Sequence, residues 1–209
     1  FIFFSTVWVY KQPLQGIYNE ESPAVNDHSY ATSNRIVENY LRDINCNSRI
    51  STSVFRISNV VGHPLVKQSN CWDLVANSFC KKIIEDNKII INSDGLSQRD
   101  LISMSSFCKI ISSFVSLKQQ ENFLYNLSSE RAMNIQDLAL IIKKRSKKIL
   151  NIDPEIIIKK ENFEKSPKSP LLISNKRLRN TGIIPNKNLN KDIDELLLFC
   201  HNNFKSRKA

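Results

Sequence analysis

The sequence predicts an α/β fold built on a parallel sheet. Short apolar runs rich in Val, Ile and Phe alternate with stretches whose apolar residues recur at helical spacing. This alternation is typical of parallel sheets, because each crossover between parallel strands needs a long connection, usually a helix. The 209 residues are 41% hydrophobic and include 4 glycines and 7 prolines, a composition that can bury a core and excludes collagen-like or low-complexity chains.

Each predicted element follows from a local pattern. Apolar runs that end at turn-forming residues indicate strands, and apolar residues three or four positions apart indicate helices. Ser29 precedes the first helical stretch and is predicted to cap it. In chain order we predict a strand within residues 1–10, a helix over 30–44, a strand over 53–58, a helix over 72–84, strands at 88–92 and 100–104, a helix over 106–117, a strand at 122–126, a helix over 135–149, a strand at 155–158 and a helix over 192–204.

The turn at Asp94-Gly95 separates the runs at 88–92 and 100–104. We expect these two runs to form a hairpin or two neighbouring short strands. From about residue 85 the strands become shorter, the loops hold most of the prolines, and the charge increases. We therefore divide the chain into residues 1–84 and a smaller lobe at 85–209, some segments of which return to the first part.

The formal net charge of +10 lies in the last third of the chain. Residues 1–140 hold 13 Lys and Arg against 13 Asp and Glu, whereas residues 141–209 hold 17 against 7. Such a segment can attract nucleic acid, an anionic membrane surface or a phosphorylated substrate. Lys, Asn and Ile are abundant throughout the chain, so we favour solvated surface, and the basic run at 143–148 lacks the interleaved aromatic residues of a nucleic-acid site. Residues 159–170 are polar enough to form a mobile loop.

Composition also limits the kinds of site. No apolar run approaches the roughly 20 residues of a membrane span. His63 and His201 have no Cys or carboxylate partner at ligand spacing, so no metal site is predicted. An odd number of cysteines without Cys-x-x-Cys spacing argues against a disulfide framework and indicates reduced thiols in a cytoplasmic protein. These cysteines are Cys46, Cys71, Cys80, Cys108 and Cys200.

Three polar features are spaced in a way that suggests proton transfer. Ser5-Thr6 lies in the first strand, Tyr30 begins the first helix, and Asn34 follows one turn later. Positions four apart share a helix face, so Tyr30 and Asn34 are expected to point into the same space. A strand hydroxyl facing a helix phenol can move a proton to or from a substrate alcohol. On spacing alone, a packing role for Tyr30 stays the more frequent alternative.

Several short motifs occur in an ordered succession that carries more information than any one of them. They are Phe4-Ser5-Thr6-Val7-Trp8-Val9-Tyr10, Glu20-Glu21-Ser22-Pro23, Tyr30-Ala31-Thr32-Ser33-Asn34 with Glu38 behind it, Arg56-Ile57-Ser58-Asn59-Val60-Val61-Gly62-His63-Pro64, Gln98-Arg99-Asp100-Leu101-Ile102, and a late segment from Ser174 to Gly182 and Pro185. In this order they resemble the NAD-dependent epimerase/dehydratase family, the extended short-chain dehydrogenase/reductases. The resemblance spans most of residues 1–205.

The resemblance implies a Rossmann-like domain that binds NAD or NADP, with residues 1–84 as its C-terminal part, and a smaller α/β lobe that closes over a nucleotide-sugar. It implies that Tyr30 is the general acid/base on a sugar hydroxyl and that Thr6 hydrogen-bonds the same hydroxyl. It also implies a homodimer through the helix over residues 30–44. It further places Asn34 at a catalytic position and, with Tyr30, at the cofactor. The remaining implied site residues are Ile57 and Ser58 beside the nicotinamide, and Asn59 and Arg99 on the substrate, with Arg99 suited to a phosphate oxygen.

One departure from the family pattern concerns the charge beside the phenol. Asn34 stands where the family has a lysine that holds the nicotinamide ribose and lowers the phenol's pKa. An unperturbed tyrosine has a pKa of about 10, so roughly one molecule in a thousand is ionised at pH 7. Arg35 lies about 100° round the helix and is a poor substitute. Lys11 is a further candidate for a migrated cation.

A second departure concerns the cofactor phosphates. The sequence contains neither Gly-x-x-Gly-x-x-Gly nor Gly-x-Gly-x-x-Gly, the loop that brings a dinucleotide pyrophosphate to a helix N-terminus. Because the chain opens on Phe1 and directly on an apolar run, we expect the phosphate-binding half to precede it in a longer protein, leaving one sheet edge uncovered here.

Three function hypotheses therefore stand. The first is an NAD(P)-dependent nucleotide-sugar epimerase, dehydratase or reductase. The second is a non-catalytic descendant that binds a nucleotide-sugar, motivated by Asn34. The third, and weakest, is a nucleic-acid-binding module formed by residues 141–209.

Overall fold

The computed structural model describes residues 1–117, 122–159 and 169–205. Within these ranges a 3₁₀ turn (Val7–Val9) follows the first strand. The strands are β1 (Ile2–Thr6), β2 (Gly16–Tyr18), β3 (Ser53–Ile57), β4 (Asn59–Val61), β5 (Lys88–Ile91), β6 (Gln98–Ser103), β7 (Leu124–Leu127), β8 (Ala132–Asn134), β9 (Glu155–Ile158) and β10 (Leu171–Ile173). The helices are α1 (Ser29–Asn47), α2 (Val75–Asp86), α3 (Met104–Val115), α4 (Ile135–Leu150), α5 (Lys176–Asn180) and α6 (Asn190–Phe204).

A three-stranded parallel sheet in the order β1-β3-β7 forms the first layer. In its register Thr6 lies beside Ile57, and Ile57 lies beside Leu127. The carboxyl ends of the three strands therefore meet at one edge of the sheet. No strand in the described ranges pairs with the other side of β1. The predicted α/β fold with a parallel sheet is confirmed.

The remaining strands form a second three-stranded sheet and two pairs of strands. β4 pairs with β6 in parallel, and β8 pairs with β6 in antiparallel fashion. β5 pairs with β9 and β10 pairs with β2, both in parallel. The largest hydrophobic cluster lies where α2, α4 and α6 pack together beside β5, with Phe79, Ile89, Leu138 and Leu196 among its buried members. A second cluster surrounds the stacked rings of Phe55 and Tyr125.

The expected pairing of the runs at 88–92 and 100–104 is wrong. β5 pairs with β9, and β6 pairs with β4 and β8, so the two strands are neither a hairpin nor neighbours. The intervening turn is held instead by the start of α4: the Gln136 backbone N–H donates to the Gly95 carbonyl, and its side-chain amide donates to the Asp94 carbonyl. These contacts to a helix replace the cross-strand bonds that would close a hairpin.

Some element boundaries also differ from the predictions. β1 ends at Thr6, because the Thr6 hydroxyl accepts a hydrogen bond from the Trp8 backbone N–H and caps the 3₁₀ turn. His28, not Ser29, is the N-cap of α1. α2 begins at Val75, after a turn in which the Leu74 N–H donates to the Cys71 carbonyl. Most of the expected loop at 159–170 lies outside the described residues.

The two parts of the chain share sheets. β7 pairs with β3, and β10 pairs with β2, so segments from beyond residue 85 join strands from before it. The division near residue 85 stays a prediction. Among the described residues no helix is both long and apolar enough to cross a bilayer.

Candidate active site

A cavity of about 760 Å³ opens at the carboxyl ends of β1 and β3. Its walls bring together six residues that the sequence analysis assigned to a site: Thr6, Tyr30, Ile57, Ser58, Asn59 and Arg99. Topology explains this convergence, since ligands in open α/β sheets bind outside the carboxyl ends of the strands. Thr6 and Ile57 face each other across the β1–β3 register, and α1 starts above them.

The Thr6 hydroxyl is oriented by its own turn. Its side chain is buried, and Oγ1 accepts a hydrogen bond from the Trp8 backbone N–H at 3.1 Å. A hydroxyl has one proton to donate and two acceptor positions. With Oγ1 already accepting from the backbone, its proton is available to an oxygen in the cavity.

Tyr30 projects from the first turn of α1. Its backbone N–H donates to His28 Nδ1 at 3.3 Å, which fixes the start of the helix. The side chain is 54% exposed and lines the same cavity as Thr6. Its hydroxyl has no hydrogen-bond partner among the described residues, so it can bind a ligand without first breaking a protein contact.

Asn34 does not reach the cavity. Its side-chain amide donates to the Tyr30 carbonyl at 2.8 Å, one turn back along α1, and it is not among the residues that line the cavity. A short amide on a helix competes for nearby backbone groups in this way. The expectation that Asn34 and Tyr30 would point into the same space is therefore wrong for the Asn34 side chain.

The other candidate cations also lie elsewhere. Arg35 donates to the Ala24 carbonyl at 2.6 Å and lies 4.0 Å from Asp27. Lys11 is not part of the cavity wall. Among the described residues that line the cavity, only Arg99 and His28 can carry positive charge.

Polar groups on β4 and β6 form the opposite wall. The Asn59 amide donates to the Asp100 carbonyl at 3.2 Å, which ties the start of β4 to β6. Arg99 Nη1 donates to Ser97 Oγ at 2.8 Å and to the Gln98 carbonyl at 2.9 Å. These contacts hold the guanidinium of Arg99 at the cavity.

Ser58 is a buried hydroxyl on this wall without a hydrogen bond of normal geometry. It lies close enough to the Asp100 carboxylate to lower that group's pKa, as do hydrogen bonds from Ser129 and the Arg131 N–H. Burial has the larger effect, so the pKa of Asp100 is raised overall. A buried polar group without a full set of partners in a cavity wall is suited to a ligand.

Part of the wall consists of residues for which the sequence predicts no role. Trp8 lines the cavity, and Asp73, Leu74 and Val75 close it from the segment that enters α2. Trp8 belongs to the motif from Phe4 to Tyr10, but no periodicity or spacing indicates that it lines a cavity. These three residues around the start of α2 lacked a sequence signal, because their position depends on how β4 and α2 pack.

A buried network positions α1 on the sheet. Glu38 of α1 forms an ion pair with Arg56 of β3 and accepts a hydrogen bond from Ser5 of β1. The Arg56 guanidinium lies over the Tyr10 ring at 4.9 Å, and the Tyr10 hydroxyl donates to Asn126 Oδ1 at 2.6 Å. Burial raises the pKa of Tyr10. The network joins the helix that carries Tyr30 to the strand that carries Thr6.

Two further features bear on other kinds of site. In the basic run on α4, Lys143 pairs with Asp153 at 3.2 Å and Arg145 pairs with Asp194. The carboxylates neutralise part of the charge that a nucleic acid would need. Across the ranges 1–117, 122–159 and 169–205, no group of three or more His, Cys, Asp or Glu side chains is arranged to hold a metal ion.

Solved structures with the same fold are numerous. The chain matches the RMD structure from Pseudomonas aeruginosa, complexed with NADPH, with a TM-score of 0.77 and 17% identity over 97% of this chain and 66% of that one. It matches UDP-N-acetylglucosamine 4-epimerase from Methanobrevibacter ruminantium M1, in complex with UDP-N-acetylmuramic acid, with a TM-score of 0.75 and 21% identity over 95% of this chain and 61% of that one.

A third match is UDP-glucuronic acid 4-epimerase from Bacillus cereus in complex with UDP-glucuronic acid and NAD, with a TM-score of 0.75 and 18% identity over 97% of this chain and 61% of that one. The chain thus spans between 61% and 66% of the length of these three structures. At these identities the matches establish the fold, an α/β arrangement of the Rossmann-like kind. No curated protein sequence matches the chain.

The sequence itself establishes the family. The sequence model of the NAD dependent epimerase/dehydratase family matches residues 1–127, more than half of the 209. The matched segment contains β1, α1 and β3, and it includes Thr6, Tyr30 and the whole cavity wall described above. This chain belongs to the NAD dependent epimerase/dehydratase family.

Proposed function

We propose that this chain provides the catalytic strand–helix unit and the substrate lobe of an NAD(P)-dependent enzyme that acts on a nucleotide-sugar. The observation that carries the proposal is the meeting of Thr6 and Tyr30 in one cavity at the carboxyl ends of β1 and β3. The sugar hydroxyl at the reacting carbon would lie between these two side chains.

The residues present fit the nicotinamide end of the cofactor. Ser58 is a buried cavity hydroxyl that lacks a normal hydrogen bond, and Ile57 beside it offers an apolar surface. Structures of the same fold hold NADPH or NAD. When bound, NAD(P) supplies the acceptor or donor of a hydride. The 209 residues contain no glycine-rich phosphate loop, so this chain's own contribution is limited to the nicotinamide end.

Thr6 would orient the sugar hydroxyl, and Tyr30 would transfer its proton. The Thr6 hydroxyl, which already accepts from the Trp8 N–H, donates to the sugar oxygen and holds it in place. Ionised to the phenolate, Tyr30 takes the hydroxyl proton as the carbon is oxidised, and the resulting phenol returns a proton as the carbon is reduced. Since Asn34 contributes no charge and bonds to the Tyr30 carbonyl, the phenol acts without the family's lysine.

Arg99 and Asn59 would orient the substrate. The guanidinium of Arg99 lies in the wall of the cavity, where its planar fork suits two oxygens of a diphosphate. The UDP-sugars bound in related structures carry such a diphosphate. Asn59 is held through the Asp100 carbonyl and lines the cavity, where its remaining amide groups would bind the sugar.

A non-catalytic nucleotide-sugar-binding protein of the same fold is the second candidate, and the position of Asn34 favours it. Two measurements on the full-length protein separate the candidates. The first is turnover, followed by chromatography of the nucleotide-sugar for epimerisation or dehydration and by the absorbance of reduced nicotinamide for a net reduction; the second is calorimetric binding of nucleotide-sugars. Turnover supports the enzyme. Binding without turnover, with cofactor shown to be bound, supports the second candidate, and the absence of binding contradicts both.

Three lesser parts of the proposal concern assembly, location and nucleic acid. A homodimer would use α1, whose outer face exposes Ile36 and Tyr40. A cytoplasmic location fits the five unpaired cysteines. A nucleic-acid module is disfavoured, because carboxylates pair with Lys143 and Arg145. Salt-sensitive binding to random DNA would be the evidence for it.

A further inference from the structure

Trp8 is an exposed aromatic ring in the wall of the cavity. It lies in the 3₁₀ turn between Val7 and Val9, which are both buried, whereas the Trp8 side chain is 39% exposed. Three residues complete one turn of a 3₁₀ helix, so the middle residue points away from its neighbours. The ring is therefore directed outward, to the cavity that it lines with Thr6 and Tyr30.

The backbone that carries the ring is held before any ligand binds, and the ring itself contacts His28. The Trp8 N–H donates to Thr6 Oγ1 at 3.1 Å, and the Trp8 carbonyl accepts from Asn26 Nδ2 at 2.6 Å. The His28 ring packs edge-on against it, with centroids 6.0 Å apart and planes at 69°. A held backbone and a neighbouring ring reduce the conformational freedom that Trp8 loses when it binds a ligand.

We propose that Trp8 is the platform for the apolar face of the substrate's hexose ring and thereby determines specificity for the sugar. A pyranose has a face of C–H groups and an edge of hydroxyls, and this site offers an indole face beside the hydroxyls of Thr6 and Tyr30. The inference rests on the function proposed above.

The nicotinamide and the nucleotide base are the two other ligand rings that could stack on Trp8. The nicotinamide is expected at Ile57 and Ser58, which end β3, whereas Trp8 follows β1 and contacts His28, the cap of the helix that carries Tyr30. The diphosphate, and the base beyond it, are expected toward Arg99. The ring closest to Trp8 is then the one whose hydroxyl meets Thr6 and Tyr30, which is the sugar.

The sequence offers a direct probe, because Trp8 and Trp72 are its two tryptophans. In a Trp72→Phe variant of the full-length protein, Trp8 is the one tryptophan left among the 209 residues, and the difference in emission from a Trp8→Phe, Trp72→Phe double variant isolates its contribution. Phenylalanine at position 72 preserves ring contacts with Phe199 and Phe204. This variant is titrated separately with UDP-glucose, with UDP and with NAD. Other nucleoside diphosphate hexoses follow, and for each of them the nucleoside diphosphate without the sugar is the control ligand.

We expect the nucleotide-hexose that the protein binds to change Trp8 emission. The corresponding nucleoside diphosphate alone should leave Trp8 emission unchanged. Trp8→Ala should weaken binding of the nucleotide-hexose about tenfold while leaving the nucleoside diphosphate within twofold. Trp8→Phe should restore most of the affinity. Circular dichroism of Trp8→Ala checks that the fold is kept.

The opposite results overturn the inference in separate ways. If a nucleotide-hexose and its nucleoside diphosphate change Trp8 emission equally, Trp8 contacts the base or the phosphates. If NAD alone changes the emission, Trp8 contacts the cofactor. Calorimetric binding of the sugar with no change in emission removes Trp8 from the site. If no nucleotide-hexose binds by calorimetry, the proposed function itself falls, and the platform falls with it.

Discussion

Glu38 and Arg56 form a bidentate ion pair in the interior of the protein. Arg56 Nε donates to Glu38 Oε1 at 3.0 Å, and Nη2 donates to Oε2 at 2.6 Å. Only 2% of Glu38 and 4% of Arg56 are exposed. Because Glu38 lies on α1 and Arg56 on β3, the pair fixes the distance between the helix of Tyr30 and the edge of the sheet where Thr6 lies.

Breaking this pair should be costly. Glu38→Ala leaves the guanidinium of Arg56 buried without its counter-charge, and we expect the free energy of unfolding to fall by about 3–5 kcal/mol. The matched control is Glu195→Ala, which removes an exposed partner 3.7 Å from Lys191 on α6, and should cost less than about 1 kcal/mol. Urea denaturation measures both, and equal losses would contradict a structural role for the buried pair.

The cysteines should differ sharply in reactivity. Burial raises the pKa of Cys200 to about 12 and raises that of Cys80 as well, whereas Cys46 and Cys108 are exposed. The thiolate is the reactive form, so at mildly alkaline pH a thiol reagent should modify Cys46 and Cys108 first. Cys71 is partly exposed with a raised pKa and should follow more slowly.

Peptide mapping by mass spectrometry identifies which thiols react. We expect modification of Cys80 and Cys200 only after the protein is denatured. Because a thiol with a raised pKa becomes a thiolate only at higher pH, raising the pH should speed the reaction of Cys71 before that of Cys200. Reaction of Cys200 in the native protein at the rate of Cys46 would contradict the packing of α2 against α6.

Much of the fold could be predicted because its signals are local. The strand over 155–158 and the helix over 135–149 match β9 and α4 to within one residue, since apolar periodicity and turn residues mark their ends. The three-residue strands β2, β4, β8 and β10 were missed, because three residues carry too little pattern to distinguish them from loops. The hairpin failed because strand pairing is decided by distant segments, here β9 for β5 and β4 and β8 for β6.

The candidate site, like the fold, could be predicted from the sequence only in part. Thr6, Tyr30 and Arg99 could be selected because their motifs resemble those of the family, and all three line the cavity. The orientation of Asn34 could not, because its amide chooses between the cavity and a backbone carbonyl, and sequence spacing does not decide that choice. Trp8 had no spacing signal at all, since its exposure depends on the burial of the two valines beside it.

Restoring a lysine at position 34 should increase activity. The Asn34→Lys change removes the bond from the Asn34 amide to the Tyr30 carbonyl and places a cation on the phenol's side of α1. A neighbouring cation favours the ionised phenol, so we expect turnover in the full-length protein to rise about tenfold or more and the pH optimum to fall.

The control for this change is Ser33→Lys. It adds the same charge one position earlier, about 100° round the helix, on an exposed face of α1. We expect this variant to leave the pH optimum unchanged. If Asn34→Lys has no effect while cofactor is shown to bind, lysine-assisted ionisation of Tyr30 is excluded as the limit on activity.

The most direct test is a double-mutant cycle on Tyr30 and Thr6 in the full-length protein, with turnover and nucleotide-sugar binding measured for each variant. Tyr30→Phe should lower kcat about 10²- to 10⁴-fold, with binding changed less than about threefold, because the phenol acts on the proton and not on affinity. Thr6→Val should also slow turnover. If both groups bind one sugar oxygen, the double variant should be little slower than Tyr30→Phe alone. Full turnover by Tyr30→Phe, or losses that multiply in the double variant, would contradict a shared oxygen.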